Sequence, residues 1–413
     1  MSSAAPGELR AALEHVLRLE PVGSPAGNLS VARGDLDGRV VHAALVENRS
    51  ASGSIGSVEA ERLAALFRVA GLGRSPLVLY LDSAGAKVSE GLQALGAFRS
   101  VFRAGLDAAF AGAPIAAVLG RNCFGGSSML AHLAPQRLFG PATRLGMSGP
   151  AVIAASSGMD PLDEAFQAMA EAAMSAASRA KASPANLAWS ARLDLADWLR
   201  SALSSPPDAA AAFRARHDAL ASRLPPMKAL AWESVRRKDL ERLYPGGCEA
   251  RESLGLIEGR GRTADGEESF LGIVGDKPLA AERAWRFAED AWRHPGGATL
   301  RVLLDCATHA TRIEEERIVL SEFVVDMSAA LQDLARRGTR VLLTIVGRAG
   351  GGVYVALAAP AERVSAVHGA QIHVLPGSAV TAILGSTRDA IPSFADYHGA
   401  RVAEEELKLG LVP

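Results

Sequence analysis

Two glycine pairs in this chain stand where backbone N–H groups could stabilise negative charge on a reacting oxygen. Gly125-Gly126 follow the apolar run PIAAVLGRNCF, and Gly351-Gly352 follow RVLLTIVGRAG. Each pair precedes a segment typical of a helix, SSMLAHLA in one case and VYVALAA in the other. N–H groups at a helix N-terminus suit a developing oxyanion, and glycine leaves room for a carbonyl oxygen to approach. These four glycines are the candidate catalytic residues.

Further candidates for substrate binding accompany the two pairs in a similar order. Around the first pair they are Gly53, Ser54, Ile55, Gly56, Lys87, Cys123, Phe124, Ser148, Gly149 and Pro150. Around the second pair they are Arg312 and Pro376, in a stretch that opens with Gly272-Ile-Val-Gly275 and closes with Leu375-Pro376-Gly377. A strand-like run ends at Asp82 in the first stretch and at Asp305 in the second. Lys87 precedes Gly125 by 38 positions, and Arg312 precedes Gly350 by 38.

The chain therefore repeats one ordered set of signals, in residues 53–150 and again in 272–376. The runs SLGLIEG (253–259) and KLGLVP (408–413) give both copies a similar ending. A repeat of this length predicts two similar domains that build one site between them.

Apolar periodicity indicates the elements that position these residues. Short apolar runs bounded by turn residues predict strands at 40–47, 76–82 and 114–120, with helical patterns between them, so we expect α/β packing with crossover helices. The expected segments are an N-terminal helix and connector (1–30), a first domain (31–260) and a second domain (261–413), divided in the polar stretch 259–270. An alanine-rich stretch at about 155–240 predicts a helical insertion that the repeats do not need to close their cores.

Composition limits the class of protein. The chain has 413 residues, 49% of them hydrophobic and 22% charged, which fits two buried cores. A formal net charge of −1 without a basic stripe argues against nucleic acid as a partner. The three cysteines form no CxxC pair, so we expect no zinc ribbon and no disulfide framework. No signal peptide or apolar run long enough for a membrane span is evident, so the expected location is the cytoplasm.

The run CFGGSSM (123–129), with GSIG about 70 positions upstream and SGPAVI downstream, resembles the carboxyltransferase branch of the crotonase superfamily. Within that branch the chain resembles the biotin-independent malonate decarboxylases, whose beta and gamma carboxy-lyase subunits are separate chains. Here a beta-like half is followed by a gamma-like half, as in a fusion. The resemblance is good over residues 35–155, moderate over 295–380 and poor over the insertion. It implies two tandem crotonase/ClpP-like ββα-spiral domains.

The resemblance also implies roles for the candidate residues. The turn at Gly125-Gly126 would hold the thioester carbonyl that becomes an enolate, with Gly53 to Gly56 shaping the wall. The turn at Gly351-Gly352 would hold the leaving carboxylate. No metal, biotin or redox cofactor is implied, because fixed donors that favour the enolate suffice to lower the barrier. The second copy departs from the family's pattern at Cys306-Ala-Thr-His-Ala-Thr311 and at Asp276-Lys-Pro278, so its site is expected to be altered.

Structural interpretations compete with these roles. His309 and His373 are possible proton donors to the enolate, yet a lone histidine near a strand end is commonly a structural residue. Cys123 is expected to be a small buried side chain, and Asp82 and Asp305 are expected to cap turns. Lys87 and Arg312 either grip a carrier phosphate or carboxylate, or are solvated charges.

Three functions remain open at this point. The first is decarboxylation of a malonyl thioester, carried by CoA or an acyl carrier protein, to an acetyl thioester and CO₂. The second is a subunit of a biotin-dependent acyl-CoA carboxyltransferase, and the third is a non-catalytic scaffold that binds a partner. The resemblance further implies a homodimer. Clustered arginines in the insertion, among them Arg200, Arg214, Arg236 and Arg237, suggest a docking surface for an acidic carrier or a solvated cap.

Overall fold

The computed structural model describes residues 6–190, 192–204, 208–225, 237–275, 277–375, 379–380 and 383. None of the helices in these ranges is long and apolar enough to cross a membrane. Two compact units emerge. Unit 1 contains Met1–Glu90, Ser100–Ala212 and Thr311–Glu322, and unit 2 contains Gly91–Arg99, Phe213–Ala310 and Phe323–Pro413. Each unit thus includes a short helical segment from the other repeat.

The elements up to residue 243 combine one sheet with helices that alternate with its strands. In chain order they are α1 (Pro6–Leu17), β1 (Glu20–Pro21), β2 (Leu29–Leu36), β3 (Arg39–Val46), α2 (Ser57–Gly73), β4 (Leu77–Ser83), α3 (Leu92–Phe110), β5 (Ile115–Phe124), α4 (Gly126–Ala131), β6 (Gln136–Phe139), β7 (Arg144–Gly146), α5 (Pro150–Ser157), α6 (Glu164–Met174), α7 (Ala176–Ala182), β8 (Asn186–Ala188), α8 (Leu195–Ala202), α9 (Ala209–Ala221) and α10 (Arg237–Leu243). The predicted strands at 40–47, 76–82 and 114–120 are confirmed as β3, β4 and β5.

The first sheet has the order β1-β2-β3-β4-β5-β6-β8, and β7 pairs with the end of β5. A hairpin joins β2 to β3, and the strands from β3 onward run parallel. Parallel neighbours need a crossover, which α2 and α3 provide. Because the strands are buried on both faces, they read as continuous apolar runs rather than as alternating ones.

One face of the first sheet is covered by two helices from opposite ends of the first half. Leu9, Leu13 and Leu17 of α1 and Leu195, Trp198 and Leu199 of α8 share one apolar cluster with the sheet residues Val41, Val78, Val118 and Leu138. The expectation that the repeats close their cores without the insertion is therefore wrong for α8. Trp198 is 6% exposed, so removing α8 would return a large apolar area to water.

The elements from residue 248 onward repeat the arrangement. In chain order they are β9 (Cys248–Ser253), β10 (Leu256–Thr263), β11 (Gly266–Ile273), α11 (Ala281–Arg293), β12 (Thr299–Cys306), α12 (Ile313–Arg317), α13 (Leu320–Arg336), β13 (Arg340–Gly350), α14 (Gly351–Ala358), β14 (Arg363–Ala366) and β15 (Gln371–His373). The second sheet has the order β14-β13-β12-β11-β10-β9, with β15 on the end of β13. The predicted α/β fold with two tandem domains is confirmed. Each half of the sequence forms one mixed sheet with helices between its strands.

Strand register gives the residue equivalences between the copies. In both copies the parallel pairing shifts at one place, between Leu81 and Ser83 in β4 and between Leu304 and Cys306 in β12. At these shifts Asp82 accepts a hydrogen bond from the N–H of Asn122 (3.1 Å), and Asp305 accepts one from Arg348 (2.8 Å). Each aspartate thus caps an N–H group that the shifted ladder leaves unpaired. Their expected role as turn caps agrees with these contacts.

Strand pairing also corrects the residue equivalences that sequence similarity suggested between the two copies. Ile55 forms an isolated parallel bridge with Ala86, and Leu279 forms the corresponding bridge with His309. The second-copy counterpart of Gly53–Gly56 is therefore 277–280, whereas Gly272 and Ile273 end strand β11. Lys87 and Arg312 each precede a glycine by 38 positions, but they are not structurally equivalent. The residue equivalent to Lys87 is Ala310, whose N–H donates to Leu279 O as that of Lys87 donates to Ile55 O.

The run 253–259 is also not the end of the first copy, as its similarity to 408–413 had suggested. That run belongs to the hairpins of the second sheet, while 408–413 lies outside the described residues. The glycine-rich stretch 259–270 forms parts of β10 and β11. Its glycines allow close packing, since a Cβ on Gly259 would lie 2.0 Å from the carbonyl oxygen of Glu249 and one on Gly261 would lie 2.3 Å from the Tyr244 ring.

A buried polar row distinguishes the second sheet from the first. Arg301 donates to Glu268 through Nε and, at 3.2 Å, through Nη2, and its Nη1 donates to Thr344 Oγ1 at 2.9 Å. Thr344 is in turn 3.1 Å from Ser365 Oγ. The register places these four residues at the positions of Val41, Val78, Val118 and Leu138 in the first sheet. One copy has an apolar row, and the other has a satisfied hydrogen-bond chain.

Candidate functional site

Strand β5 ends in a turn that only glycine can form. Gly125 has φ 57° and ψ −130°, a combination that residues with a Cβ rarely adopt. Its N–H donates to Gly146 O at 3.2 Å, so this group is already engaged within unit 1. The N–H groups of Gly126 and Ser127 open α4 and have no carbonyl four residues back within the helix. Gly125 therefore sets the conformation of the turn, and the first N–H group that could bind a substrate oxygen is that of Gly126.

A second glycine keeps space open at this turn. A Cβ on Gly85, whose φ is 95°, would lie 2.7 Å from Phe124 O and 3.0 Å from the nitrogen of Gly126. A side chain at Gly85 would therefore cover the candidate donor, the N–H of Gly126. Ser83 fixes this approach, because its Oγ accepts from Gly85 N–H (3.1 Å) and lies 2.7 Å from Ser127 Oγ. Gly85 was not among the residues singled out from the sequence.

The segment Gly53–Gly56 lies beside the same backbone. Ile55 N–H donates to Gly85 O at 2.8 Å, and Lys87 N–H donates to Ile55 O at 2.9 Å. Gly53 adopts φ 69°, and a Cβ there would lie 2.1 Å from Asp82 O. Ser54 is 5% exposed, and its Oγ has no hydrogen-bond partner among the described residues. The segment therefore lies next to the glycine turn, and it includes one buried hydroxyl, that of Ser54, without a hydrogen-bond partner among the described residues.

A buried carboxylate, that of Glu59, holds the Gly53–Gly56 segment in place. Glu59, in the first turn of α2, is 4% exposed and accepts from the N–H groups of Asn28 (3.0 Å) and Gly56 (3.1 Å). Asn28 in turn donates from its side-chain amide to Ser54 O at 2.8 Å. A glutamate at the third helical position is one half of a capping box, so Gly56-x-x-Glu59 is a signal that sequence reasoning could have used. Together these bonds hold residues 54–56 in one conformation.

Lys87 does not stand free next to the segment. Its Nζ lies 3.1 Å from Glu90 Oε1, and the other oxygen of Glu90 accepts from both the N–H (2.8 Å) and the hydroxyl (2.7 Å) of Ser57. These hydrogen bonds, together with Lys87, lower the pKa of Glu90 even though its partial burial acts in the opposite direction. Lys87 is about one-third exposed. The N-terminus of α2 is occupied by the protein's own carboxylate.

The turn Ser148-Gly149-Pro150 lies on the other side of the glycine pair. Strand β7 pairs with β5 so that Gly146 is opposite Phe124, and Pro150 begins α5, a position where proline is favoured. A Cβ on Gly149 would lie 3.4 Å from the Phe124 ring. Ser148 and Met147 both donate their backbone N–H groups to the carboxylate of Glu316, at 2.8 and 3.0 Å. The expected wall residues on both flanks thus meet at the first turn.

The two residues before the pair serve packing. Cys123 is fully buried and burial raises the pKa of its thiol, so it is a small apolar side chain and not a nucleophile. Phe124 is 8% exposed and packs with Ile153, Phe166 and Ile313 in one apolar cluster. The Arg144 guanidinium lies 5.9 Å from the centre of the Phe124 ring. Neither side chain offers a group for catalysis.

The second glycine turn, in unit 2, also has a positive φ, at Gly351, but lies in different surroundings. Gly351 has φ 49°, and the N–H groups of Gly351 and Gly352 open α14 without carbonyl partners within that helix. A Cβ on Gly350 would lie 2.4 Å from Ala307 O and 2.8 Å from His373 Nε2. His373 occupies the position of Gly146 in the first copy. Its ring is hydrogen-bonded to the backbone of Ala307, and its Nδ1 is buried without a partner among the described residues.

The two histidines that the sequence offered as possible proton donors are neutral in this setting. Burial lowers the pKa of His309 to about 4. Burial also lowers the pKa of His373, with the charge of Arg348 acting in the same direction and the bond to Ala307 opposing it. A neutral imidazole with a lowered pKa is a poor acid, so neither residue suits proton donation at neutral pH. His373 remains a hydrogen-bonding group beside Gly350.

The segment at 277–280 also differs from its first-copy counterpart. Lys277-Pro-Leu-Ala280 replaces Gly-Ser-Ile-Gly, which accords with the expectation that this site is altered. Arg283, at the third position of α11, donates to the carbonyl oxygens of Lys277 (2.9 Å), Gly255 (2.9 Å) and Val274 (3.1 Å). It fixes this segment through carbonyl groups where Glu59 fixes the first through N–H groups.

Several predicted residues fall elsewhere or beyond the described ranges. Arg312 lies in unit 1, is largely exposed and pairs with Glu315 at 2.9 Å. Pro376 lies outside the described residues, as do Arg236 and the side chain of Arg237. Arg200 pairs with Asp37 and Asp197, and Arg214 lies over the Trp292 ring at 5.0 Å. These two arginines of the insertion are engaged within the chain.

Comparison with known proteins bears on the first repeat. Residues 7–182 match the model of the carboxyl transferase domain family. The carboxyltransferase subunit of propionyl-CoA carboxylase from Haloferax mediterranei is 31% identical over 120 residues, 29% of this chain and 23% of that protein. The methylmalonyl-CoA carboxyltransferase 12S subunit of Propionibacterium freudenreichii subsp. shermanii is 30% identical over 136 residues, 33% of this chain and 26% of that protein. The chain spans about a quarter of the length of these curated relatives.

Solved structures show a weak overall likeness. A Pseudomonas malonate decarboxylase hetero-tetramer in complex with malonate aligns at a TM-score of 0.46 and 21% identity, covering 56% of this chain and 95% of that chain. Transcarboxylase 12S with methylmalonyl-CoA bound aligns at a TM-score of 0.40 and 19% identity, covering 95% of this chain and 82% of that chain. Likeness at these scores carries no information on the reaction. The likeness to the carboxyl transferase domain family covers residues 7–182, a range that includes the glycine turn of β5 and the segments that flank it.

Proposed function

We propose that this chain decarboxylates a malonyl thioester to an acetyl thioester and CO₂. The observation that carries the proposal is the first glycine turn, where Gly125 adopts a conformation reserved for glycine and leaves the N–H groups that follow it open. The thioester carbonyl oxygen would accept from the N–H of Gly126. Gly85 and the Gly53–Gly56 segment would leave room for the acyl group.

Electron flow in this reaction requires stabilisation of one oxygen. The bond between the α-carbon and the carboxylate carbon breaks, CO₂ leaves, and the electron pair moves through the α-carbon onto the thioester oxygen. The resulting enolate then takes up a proton at the α-carbon. Donors fixed by the fold bind this developing charge better than they bind the ground-state carbonyl, so they lower the barrier. Removal of one such donor costs about 3 kcal/mol of barrier.

The second glycine turn is proposed to bind a carboxylate oxygen. Gly351 has a positive φ, as Gly125 has, and His373, whose Nδ1 has no partner among the described residues, pairs with Gly350. The altered segment Lys277–Ala280 supports a function different from that of the first turn. The second turn would thus be specialised for a different chemical group from the one that the first turn binds.

The carrier of the acyl group and the assembly are also proposals. One curated relative, the methylmalonyl-CoA carboxyltransferase 12S subunit, is named for a CoA thioester. We propose CoA or an acyl carrier protein as the thioester carrier for this chain, and a homodimer as its assembly. Light scattering at micromolar concentration tests the assembly, and an active monomer would refute it.

Carboxyl transfer is a second candidate, favoured by the curated relatives, which are both carboxyltransferase subunits. It would use the same enolate in the opposite direction, with a carboxyl group received from a carboxylated biotin. The two reactions separate in one experiment. Malonyl-CoA or malonyl carrier protein, labelled in the carboxyl carbon, is incubated with the protein, with and without a biotin acceptor.

Release of labelled CO₂ without biotin supports decarboxylation. Label that appears on biotin, with none released in its absence, supports carboxyl transfer. No consumption of either thioester, by protein that is folded by circular dichroism, would favour a non-catalytic scaffold.

A further inference from the structure

The turn at Met147 and Ser148 is held by a residue 168 positions further along the chain. Glu316 is 0% exposed, and its two carboxylate oxygens accept separately from Ser148 N–H (2.8 Å) and Met147 N–H (3.0 Å). Residues 311–322 belong to unit 1, although the sequence places them in the second repeat. The backbone beside the first glycine turn therefore depends on a carboxylate from outside the first repeat.

The first repeat is shaped to receive this carboxylate. A Cβ on Gly146 would lie 2.6 Å from Glu316 Oε2, so a side chain there would displace the Glu316 carboxylate. Arg179 is also 0% exposed and donates to Leu145 O at 3.0 and 2.7 Å and to the backbone oxygen of Glu316 at 2.6 Å. Arg179 thus ties β7 and the Glu316 segment together. Its guanidinium is 3.9 Å from the Glu316 carboxylate, so the charge pairing is loose.

Local strain shows that the segment is held by these contacts. Val319 is buried and has φ 68°, a region that β-branched residues rarely occupy. Its N–H donates to Glu316 O at 3.0 Å, the same oxygen that Arg179 contacts. Strained backbone persists where the surrounding structure over-determines it, and such places cluster at functional sites.

We infer that Glu316 is a positioning residue for the first glycine turn. Its carboxylate holds the N–H groups of Met147 and Ser148, which fixes Gly146, whose carbonyl oxygen accepts from Gly125 N–H. The inference rests on the proposed function for its effect on catalysis, but not for its structural content. When the carboxylate is protonated, one of its two acceptor oxygens becomes a donor, and one of the two N–H bonds is weakened.

The surroundings of Glu316 allow its carboxylate to be protonated, and one N–H bond to be weakened, near neutral pH. Burial raises the pKa of Glu316 to about 7, opposed by Arg179 and by the two N–H bonds and reinforced by the negative charge of Glu315. Glu315 itself is paired with Arg312 at 2.9 Å. Because the folded-state pKa lies above the ordinary value, ionisation of Glu316 costs stability as pH rises towards 7 while it improves the order of the turn. Activity and stability should therefore respond to pH in opposite directions.

The test combines a pH–rate profile with hydrogen exchange on three full-length proteins. They are the wild type, Glu316→Gln and the control Glu322→Gln, which alters another buried carboxylate of the same unit, one that faces Arg137 at 3.5 Å. Rates of CO₂ release from malonyl-CoA are measured between about pH 5.5 and about pH 8.5, a range that brackets the folded-state value. Exchange at the Met147 and Ser148 amides is measured over the same range and corrected for the intrinsic pH dependence.

We expect wild-type kcat to rise with pH through about 7. In Glu316→Gln it should be flat over this range and about tenfold lower at the alkaline end, the effect of one lost charged acceptor. The two amides should lose protection at low pH in the wild type and at every pH in Glu316→Gln. Glu322→Gln should lower the melting temperature yet keep the wild-type profile and protection.

A Glu316→Gln protein that retains the wild-type pH profile and amide protection overturns the inference. Exchange separates this failure from a failure of the proposed function, since protection that changes with pH in a protein without decarboxylase activity would refute the activity alone. If Glu316→Gln does not fold, the pH dependence of wild-type amide protection decides. Protection that stays constant through about pH 7 then contradicts the inference.

Discussion

Glu59 and Arg283 occupy equivalent positions in the two repeats and carry opposite charges. Each is the third residue of the helix that follows the hairpin of its sheet, each is 4% exposed, and each fixes the segment before its helix. Glu59 accepts from the N–H of Asn28, and Arg283 donates to the carbonyl oxygen of Gly255, the equivalent residue. The two repeats thus anchor equivalent segments with side chains of opposite charge, through N–H groups in the first repeat and through carbonyl groups in the second.

Glu59→Gln should therefore loosen the Gly53–Gly56 segment. The amide retains one acceptor for the two N–H groups of Asn28 and Gly56, which leaves one of them without a charged partner and costs about 1–3 kcal/mol of stability. Urea unfolding measures the loss, and substrate kinetics should show a higher KM if the segment lines the site. An unchanged unfolding midpoint would mean that the carboxylate does not anchor the segment.

Gly125→Ala should distort the first turn. A residue with a Cβ at φ 57° and ψ −130° is strained by about 1–3 kcal/mol, and relief of that strain would move the N–H of Gly126. Gly112→Ala is the matched control, since Gly112 also has a positive φ (86°) but no neighbouring atom within 4 Å of the position that an added methyl group would take. Both variants should lose stability, but only Gly125→Ala should lose kcat. Equal kcat in the two proteins would separate the turn from catalysis.

The polar row of the second sheet yields a prediction about stability. Glu268→Val alone leaves Arg301 buried without its carboxylate and should destabilise by about 3–5 kcal/mol. The triple variant Glu268→Val, Arg301→Val and Thr344→Val installs the apolar residues of the first sheet and should recover most of that loss. Chemical denaturation of both proteins measures the difference. A triple variant no more stable than the single one would show that the row is required as a unit.

His217 should make the protein less stable as the pH rises above neutral. Its ring lies between Asp326 (2.6 Å) and Glu289 (2.7 Å) and stacks on Trp285 at 5.2 Å. Burial opposes its charge, yet the bonds to the two carboxylates raise the pKa of His217 overall. The stability that the charged ring contributes is fully present below about pH 6.5 and is lost as pH rises through the raised value.

Wild type and His217→Gln are compared in urea at about pH 6 and about pH 9. Wild type should lose stability across this interval because of His217, and the variant should lose less. The same slope in both proteins would show that the ring does not titrate in this window.

The sequence predicted the parts of this molecule that depend on local order. Strands β3, β4 and β5 and the glycine turns are confirmed because apolar runs and glycines are read directly from neighbouring residues. Equivalences between the copies were partly wrong, because Gly272 and Gly275 match Gly53 and Gly56 in letters, whereas strand register pairs Ile55 with Leu279. Register is set by hydrogen bonds across the sheet, which letter spacing does not record.

The residues that sequence reasoning missed act over long separations. Glu316 meets Ser148 across 168 positions, and no local pattern marks a glutamate in the run Ile313–Arg317 as an acceptor for that turn. Trp198 reaches the core of the first sheet from a helix that composition alone assigns to a cap. Glu59 is different, since its spacing from Gly56 is a local signal that could have been read.

Release of CO₂ from carboxyl-labelled malonyl-CoA, without biotin and followed in wild type and Gly126→Val side by side, tests the central claim most directly. We expect turnover by the wild type. We also expect a loss of kcat on the order of a hundredfold or more in Gly126→Val, with the fold intact, because the valine side chain would fill the place of the enolate oxygen. Near-wild-type kcat in a folded Gly126→Val protein, or no CO₂ from the wild type, would contradict the claim.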